Sequence, residues 1–175
     1  RAEINDSIRQ QTFGTKEFNT LYLKSFSEDL SGITFTVNDE GLSELHADML
    51  GKHQALNSMS AILAAKELGM TPEEIHLGLL KIDKTGLRNE LIKINKCTIL
   101  NDCYKSNPVS IDAALEIFEL LQSQKKIVVL GDMLGYREMS HDMHYKVGKD
   151  LTFHNIDELV TIGQEAKYIA MGARK

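Results

Sequence analysis

The stretch "NDCYKSNPVS", residues 101–110, crowds a carboxylate, a phenol, an amine and an Asn-Pro pair into ten positions. Asp102 can accept hydrogen bonds from sugar hydroxyls or help hold a metal-bound phosphate, and Lys105 can meet a phosphate as a point charge. Asn107 offers its amide, and Pro108 opens a helix whose N-terminus favours anions. The same residue types are also the ordinary vocabulary of a turn and a helix cap, and on spacing alone that reading is the stronger one. A second group follows in "GDMLGYREMSHDMH", where Asp132, Arg137, Glu138, His141 and His144 come after Gly131. Here the plainer reading is that Ser140 caps a helix and the histidines lie on its solvated face. In "GKHQALN", His53 and Asn57 are four apart, so a helix projects both from one face, where they could recognise a flat heterocycle such as adenine. Arg88 stands in the charged stretch "DKTGLRN", either reaching a ligand at a hinge or simply solvated.

These residues need elements to hold them. The first fifty positions read as β: "FNTLYLKSF" and "GITFTV" alternate apolar and polar residues around the loop "SEDLSG", and "LSELHADML" reads as a third strand. After Gly51 the period changes to helical, with Leu56, Met59, Ile62, Leu63 and Leu68 near one face and Gly69 as the stop. "TPEEIHLGLLKI" predicts a second helix, with Thr71 as N-cap, Pro72 in the first turn and Glu74 closing a capping box. A linker over 83–89 gives way to a βαβαβ pattern. "ELIKI" and "CTILND" are its first strands, then helix "SIDAALEIFELLQS", buried strand "KKIVVLGDM", helix "SHDMHYKVGKDLTF", strand "ELVTIG" and a helix from "QEAKYIAM". Such alternation argues for a parallel sheet covered by helices, with ligands at the carboxyl ends of its strands. The loops carrying Asp102 and Asp132 are both placed there.

Composition sets the outer limits. The chain has 175 residues, 42% hydrophobic and 26% charged, with net charge −5 and no Lys/Arg cluster, so nucleic acid and acidic membranes are not expected partners. Cys97 and Cys103 are the only cysteines and read as reduced, packed thiols; no metal-ligand spacing is present. No apolar run is long enough to span a membrane and the N-terminus is not a signal peptide, which together predict a cytoplasmic protein. The chain begins at Arg1 and stops at "AMGARK", so a fragment is expected. The Gly-rich phosphate loop, the dinucleotide fingerprint, H-E-x-x-H and G-x-S-x-G do not occur in these residues.

Taken in order, "GKHQALNSMSAILAA", "GLRNE", "NDCYKSNPVS" and "LGDMLGYREMSHDMHYKVG" resemble the Mur ligase family, the ATP-dependent amide ligases of peptidoglycan synthesis. The likeness runs from about residue 20 through nearly the whole chain. The asparagine of "SNP" and the "GDM" favour the members that join D-Ala-D-Ala to a UDP-N-acetylmuramoyl-tripeptide. The fold this implies is α/β. Residues 1–85 form the C-terminal half of a central ATP-binding domain, strands then helices, and 86–175 an incomplete Rossmann-like C-terminal domain. The resemblance implies ATP and Mg²⁺ as cofactors, with the Mg²⁺ ligands upstream of this chain, and the muramoyl tripeptide and D-Ala-D-Ala as substrates. His53, Asn57, Arg88 and Asp102 are then the nucleotide-binding residues, and Arg88, Asp102 and Lys105 serve catalysis. Tyr104, Asn107, Gly131, Asp132 and Met133 line the face where the dipeptide binds. Gln54, Leu87 and Lys105-Ser106 depart from the family pattern, which has Asn, Gly and Asn-Ala there. The chain alone, without a phosphate loop, is expected neither to hydrolyse ATP nor to ligate. Two other readings stay open: a Mur-type ligase with another acceptor, or folylpolyglutamate-synthase-like, and a non-catalytic Rossmann-like binding domain.

Overall fold

The computed structural model describes residues 10–83 and 86–174. It divides after Asp83 into two compact units.

The first unit is a four-stranded sheet with two helices. Strand β1 (Phe13–Gly14) runs parallel to β2 (Leu21–Asp29), which pairs antiparallel with β3 (Gly32–Val37), and β3 in turn with β4 (Leu45–Ala47). Period-2 patterning fixes which face of β3 is buried: Ile33, Phe35 and Val37 enter the core while Thr34 and Thr36 alternate with them. The expected loop "SEDLSG" shrinks to a two-residue turn, because Asp29 pairs with Gly32. The Asp29 carboxylate accepts the Ser31 N–H and hydroxyl, which holds its pKa below the ordinary carboxylate value. Gly32, at φ 139°, is required here, since a Cβ would lie 2.3 Å from the Ala47 carbonyl oxygen. The third strand is shorter than "LSELHADML" suggests, because it pairs only over Leu45–Ala47.

Helix α1 (Lys52–Glu67) lays Ala55, Met59 and Ile62 on the sheet, and α2 (Pro72–Leu80) adds Ile75 and Leu79. Leu68 is not on the buried face; it falls beyond the last helical turn and is 82% exposed. The α2 capping box forms as expected: Thr71 accepts the Glu74 N–H, and Glu74 accepts the Thr71 N–H.

The second unit opens with an antiparallel hairpin, β5 (Glu90–Ile94) and β6 (Cys97–Asn101), turning at Asn95 with φ 53°. Helix α3 (Pro108–Leu120), β7 (Ile127–Gly131), α4 (Ser140–Leu151), β8 (Glu158–Ile162) and α5 (Lys167–Ala173) follow. The parallel pairing expected from alternation is present between β7 and β8. The first two strands instead pair with each other, since only a short turn joins them and parallel strands need a crossover. Ile111, Leu115, Val128, Met133, Val147, Leu151, Ala166 and Ile169 form the core, so α3, α4 and α5 share one side of β7–β8.

The strand "KKIVVLGDM" is accordingly not buried on both faces. Val129 is 58% and Ile162 63% exposed, while their neighbours Val128 and Leu159 face the core. Helices α4 and α5 touch through glycine: a Cβ on Gly148 would sit 2.0 Å from the Ile169 carbonyl oxygen, and one on Gly172 2.2 Å from that of Tyr145. Both cysteines are exposed rather than packed, because Cys97 opens the hairpin edge and Cys103 lies in the loop after it.

Candidate functional site

The hairpin register explains how linker residue Arg88 meets Tyr104, sixteen positions later. Glu90 pairs with Asn101, and the two chains stay together beyond that pair. The Asn89 N–H donates to Asp102 Oδ1 at 3.2 Å, and the Tyr104 N–H donates to the Leu87 carbonyl at 3.2 Å. Between these ties the Arg88 guanidinium lies over the Tyr104 ring, 4.3 Å from its centroid. Leu87 and Asn89 hold the chain in this path at φ 63° and 45°. A left-handed leucine costs roughly 1–2 kcal/mol, which gives a physical reason for glycine to be usual at this point of the family pattern. Arg88 is exposed, and its contact with the Tyr104 ring is one that spacing alone does not reveal.

Asp102, Tyr104 and Lys105 line one wall of a cleft of about 990 Å³. Strands β6 and β7, which do not hydrogen-bond to each other, form its sides, and the Gly131–Gly135 loop contributes Gly131, Asp132, Leu134 and Gly135. Lys105 is exposed and has no ion-pair partner among the described residues, which leaves its ammonium available to an anion. Asn89 Oδ1 is a buried acceptor with no partner among the described residues, beside the Asp102 carboxylate.

Asn107 is in use. Its Oδ1 accepts the Ser110 N–H at 2.9 Å while Ser110 Oγ accepts the Asn107 N–H, a reciprocal cap on α3 with Pro108 in the first turn. Of its amide only the NH₂ is left for a ligand. In the same way Asp132 is engaged by the segment after β8, accepting the Gln164, Glu165 and Ala166 N–H groups at 3.2, 3.0 and 2.7 Å. Gly163, at φ 128°, makes this fit, since a Cβ would meet Asp132 Oδ1 at 2.2 Å. The Met133 side chain is 2% exposed and packs in the core, where it anchors the loop. No close neighbour crowds Gly131, whose Cβ position lies 3.7 Å from the nearest atom.

The histidines divide. His141 is exposed, edge-on to Tyr168 with centroids 4.3 Å apart and paired with Asp142. His144 is fully buried, not on a solvated face, and Ser140 is the first helical residue with no side-chain cap. The signal was in the spacing: His144, Val147 and Leu151 fall at i, i+3 and i+7, the buried stripe of α4.

On the first unit, His53 and Asn57 stand exposed on the first turns of α1, whose N-terminal Gly51 N–H is bound by Glu28 Oε1. The Asn57 amide donates to Gln54 Oε1 at 3.1 Å, so the departure at position 54 orients a predicted site residue. Among the described residues no cluster of three or more His, Cys, Asp or Glu side chains could hold a metal ion. Among them also no helix is long and apolar enough to cross a membrane.

Comparison with known proteins gives the family from sequence and the fold from structure. The profile described as "Mur ligase, glutamate ligase domain" matches residues 87–175. The UDP-N-acetylmuramoyl-tripeptide–D-alanyl-D-alanine ligase of Bacillus subtilis (strain 168) is 36% identical over 172 residues, 97% of this chain and 37% of the relative. The chain thus spans little more than a third of that protein's length. Among solved structures, MurF from Acinetobacter baumannii superposes with a TM-score of 0.83 over 93% of this chain and 35% of that one, at 24% identity. MurF ligase from Thermotoga maritima in complex with ADP gives 0.75 over 90% and 36%, at 20% identity. The two structures establish the fold; the matched profile and the 36% identity to the Bacillus subtilis ligase show that the chain belongs to the Mur ligase family.

Proposed function

We propose that this chain is part of an ATP-dependent amide ligase of peptidoglycan precursor synthesis that joins D-Ala-D-Ala to a UDP-N-acetylmuramoyl-tripeptide. The observation that carries the reading is the 36% identity to the Bacillus subtilis ligase across 97% of the chain. The Arg88–Tyr104–Asp102 junction supports it, because it brings two separate motifs into one place.

In the proposed reaction the tripeptide's terminal carboxylate oxygen attacks the γ-phosphorus of ATP, giving an acyl phosphate and ADP. The D-Ala-D-Ala amine then attacks the acyl carbon, and the tetrahedral intermediate expels inorganic phosphate as the amide forms. Charge on phosphoryl oxygens is what such a site must offset. Arg88 and Lys105 are the cations offered by the hinge and loop, and Arg88 is held in orientation by the Tyr104 ring. Asp102, fixed by the Asn89 N–H, is the acceptor for nucleotide hydroxyls. His53 and Asn57 would face the adenine. Tyr104, the Asn107 NH₂ and the Gly131–Asp132 backbone would border the dipeptide. Mg²⁺ finds no ligand set among the described residues, and no step is assigned to it. We place residues 1–85 in the central ATP-binding domain and 86–175 in the C-terminal domain, in a cytoplasmic enzyme.

The test is ligation by the full protein that carries this chain. Phosphate release should require ATP, the muramoyl tripeptide and D-Ala-D-Ala together. Release supported equally by single amino acids in place of the dipeptide would overturn the acceptor assignment, and no release with any acceptor would overturn the ligase reading.

A further inference from the structure

We infer that His144 is a positioning residue for the cleft wall formed by Gly131–Gly135, and that it acts through one hydrogen bond to the Met133 backbone. The inference rests on the proposed ligase reading for its activity arm only.

His144 has 0% exposure, in the middle of α4. Its Nε2 accepts the Met133 N–H at 2.8 Å, a buried bond. Its Nδ1 lies 2.7 Å from the Ser140 carbonyl oxygen. A carbonyl only accepts and a backbone amide only donates, so the ring is neutral with its proton on Nδ1. Both nitrogens are thereby used, and the ring bridges the first turn of α4 to the third residue of the preceding loop. A structural histidine needs only to satisfy its own polar atoms. This one also takes the amide of a residue whose neighbours Asp132 and Leu134 both line the cleft. The loop is thus pinned at two adjacent points: Asp132 is held from the segment after β8, and Met133 from α4. Leu134 and Gly135 then leave the core for the cleft in one direction.

The two bonds can be separated by substitution. Glutamine places an oxygen three bonds from Cβ, where Nε2 stands, and keeps an acceptor for Met133. Asparagine places its amide two bonds from Cβ, where Nδ1 stands, and keeps only the donor to Ser140. In the full protein, H144Q should leave the KM for D-Ala-D-Ala within about threefold of wild type. H144N should raise it about tenfold or more, with the KM for ATP and the kcat changed much less, which corresponds to loss of roughly 1.4 kcal/mol in dipeptide binding. A merely structural role would lower the amount of active enzyme, and so kcat, for both variants alike. Equal dipeptide KM values for H144N and H144Q would overturn the inference. A second measurement stands apart from activity and from variant folding: in the wild-type protein the Met133 amide should exchange its hydrogen far more slowly than that of Leu134. Equal exchange would also overturn it. If the wild-type protein does not ligate while Met133 is protected, the ligase reading fails and the loop-pinning stands.

Discussion

Removing the Asp132 carboxylate should detach the segment after β8 from the loop after β7. Three N–H groups converge on it, and their burial differs: Ala166 is fully buried, Glu165 half-buried and Gln164 exposed. A buried amide that loses a charged acceptor costs about 2 kcal/mol, a half-buried one about 1, and an exposed one is rehydrated at little cost. D132A should therefore cost about 3 kcal/mol. For a unit of this size each kcal/mol is about 4–8 °C, so the unfolding midpoint should fall by more than about 10 °C. Gly163 supplies an internal control. G163A alone brings a Cβ to 2.2 Å from Asp132 Oδ1 and also imposes φ strain of about 1–3 kcal/mol. In the double variant the clash is gone, leaving the lost amide acceptor and the φ strain, so the two single costs should sum to at least 1 kcal/mol more than the double shows. Thermal unfolding of the four proteins gives the cycle, and hydrogen exchange at 164–166 locates the loss. Additive costs within about 0.5 kcal/mol, or a fall of less than 4 °C for D132A, would refute the reasoning.

G148A should destabilise the second unit by several kcal/mol, because its Cβ would overlap the Ile169 carbonyl and backbone must move; a midpoint shift under 2 °C would contradict the packing. L87G should relieve the positive φ and, after glycine's own entropy cost, change stability by no more than about 1 kcal/mol, while L87V, β-branched at the same φ, should be worse than wild type. R88A should lower ligation by the full protein more than tenfold while costing only about 0.5–1 kcal/mol of stability from the lost ring contact; ligation within twofold of wild type would remove Arg88 from the site. The Thr71 N–H holds the Glu74 carboxyl below its ordinary pKa. Its contribution to α2 is therefore complete above the unfolded value and is lost as pH falls through the lower folded one. Helix protection against exchange, corrected for the intrinsic rate at each pH, should fall across that acid window in wild type and stay flat in E74Q.

Much of this was legible because local chemistry repeats. Thr71-Pro-Glu-Glu and Asn107-Pro-Val-Ser both wrote their caps into the sequence, and the alternation of Ile33, Phe35 and Val37 specified the buried face of β3. What the sequence withheld was longer-range. The short turn at Asn95 already implies that β6 pairs back on β5, but nothing local says that the pair stays apart from β7, or that Val129 and Ile162 remain uncovered. Asp132 illustrates the limit for the site. Its type suggests ligand binding, but three amides more than thirty residues away take up the carboxylate, and only the fold brings them there. His144 misled in the opposite direction: its polarity suggested solvent, though its spacing with Val147 and Leu151 already placed it inside.

The ladder that runs past Glu90 and Asn101 to Leu87 and Tyr104 also decides where this polypeptide can be cut. A truncation starting at Glu90 would look safe, since it keeps every strand and helix of the second unit. It would nonetheless delete the Leu87 carbonyl, the Arg88 guanidinium and the Asn89 amide, stripping Tyr104 and Asp102 of their described partners in one step. The smallest excised piece that still carries these ties to the "NDCYKSNP" loop begins at or before Leu87, so the connector residues 87–89 are part of the second unit's own architecture.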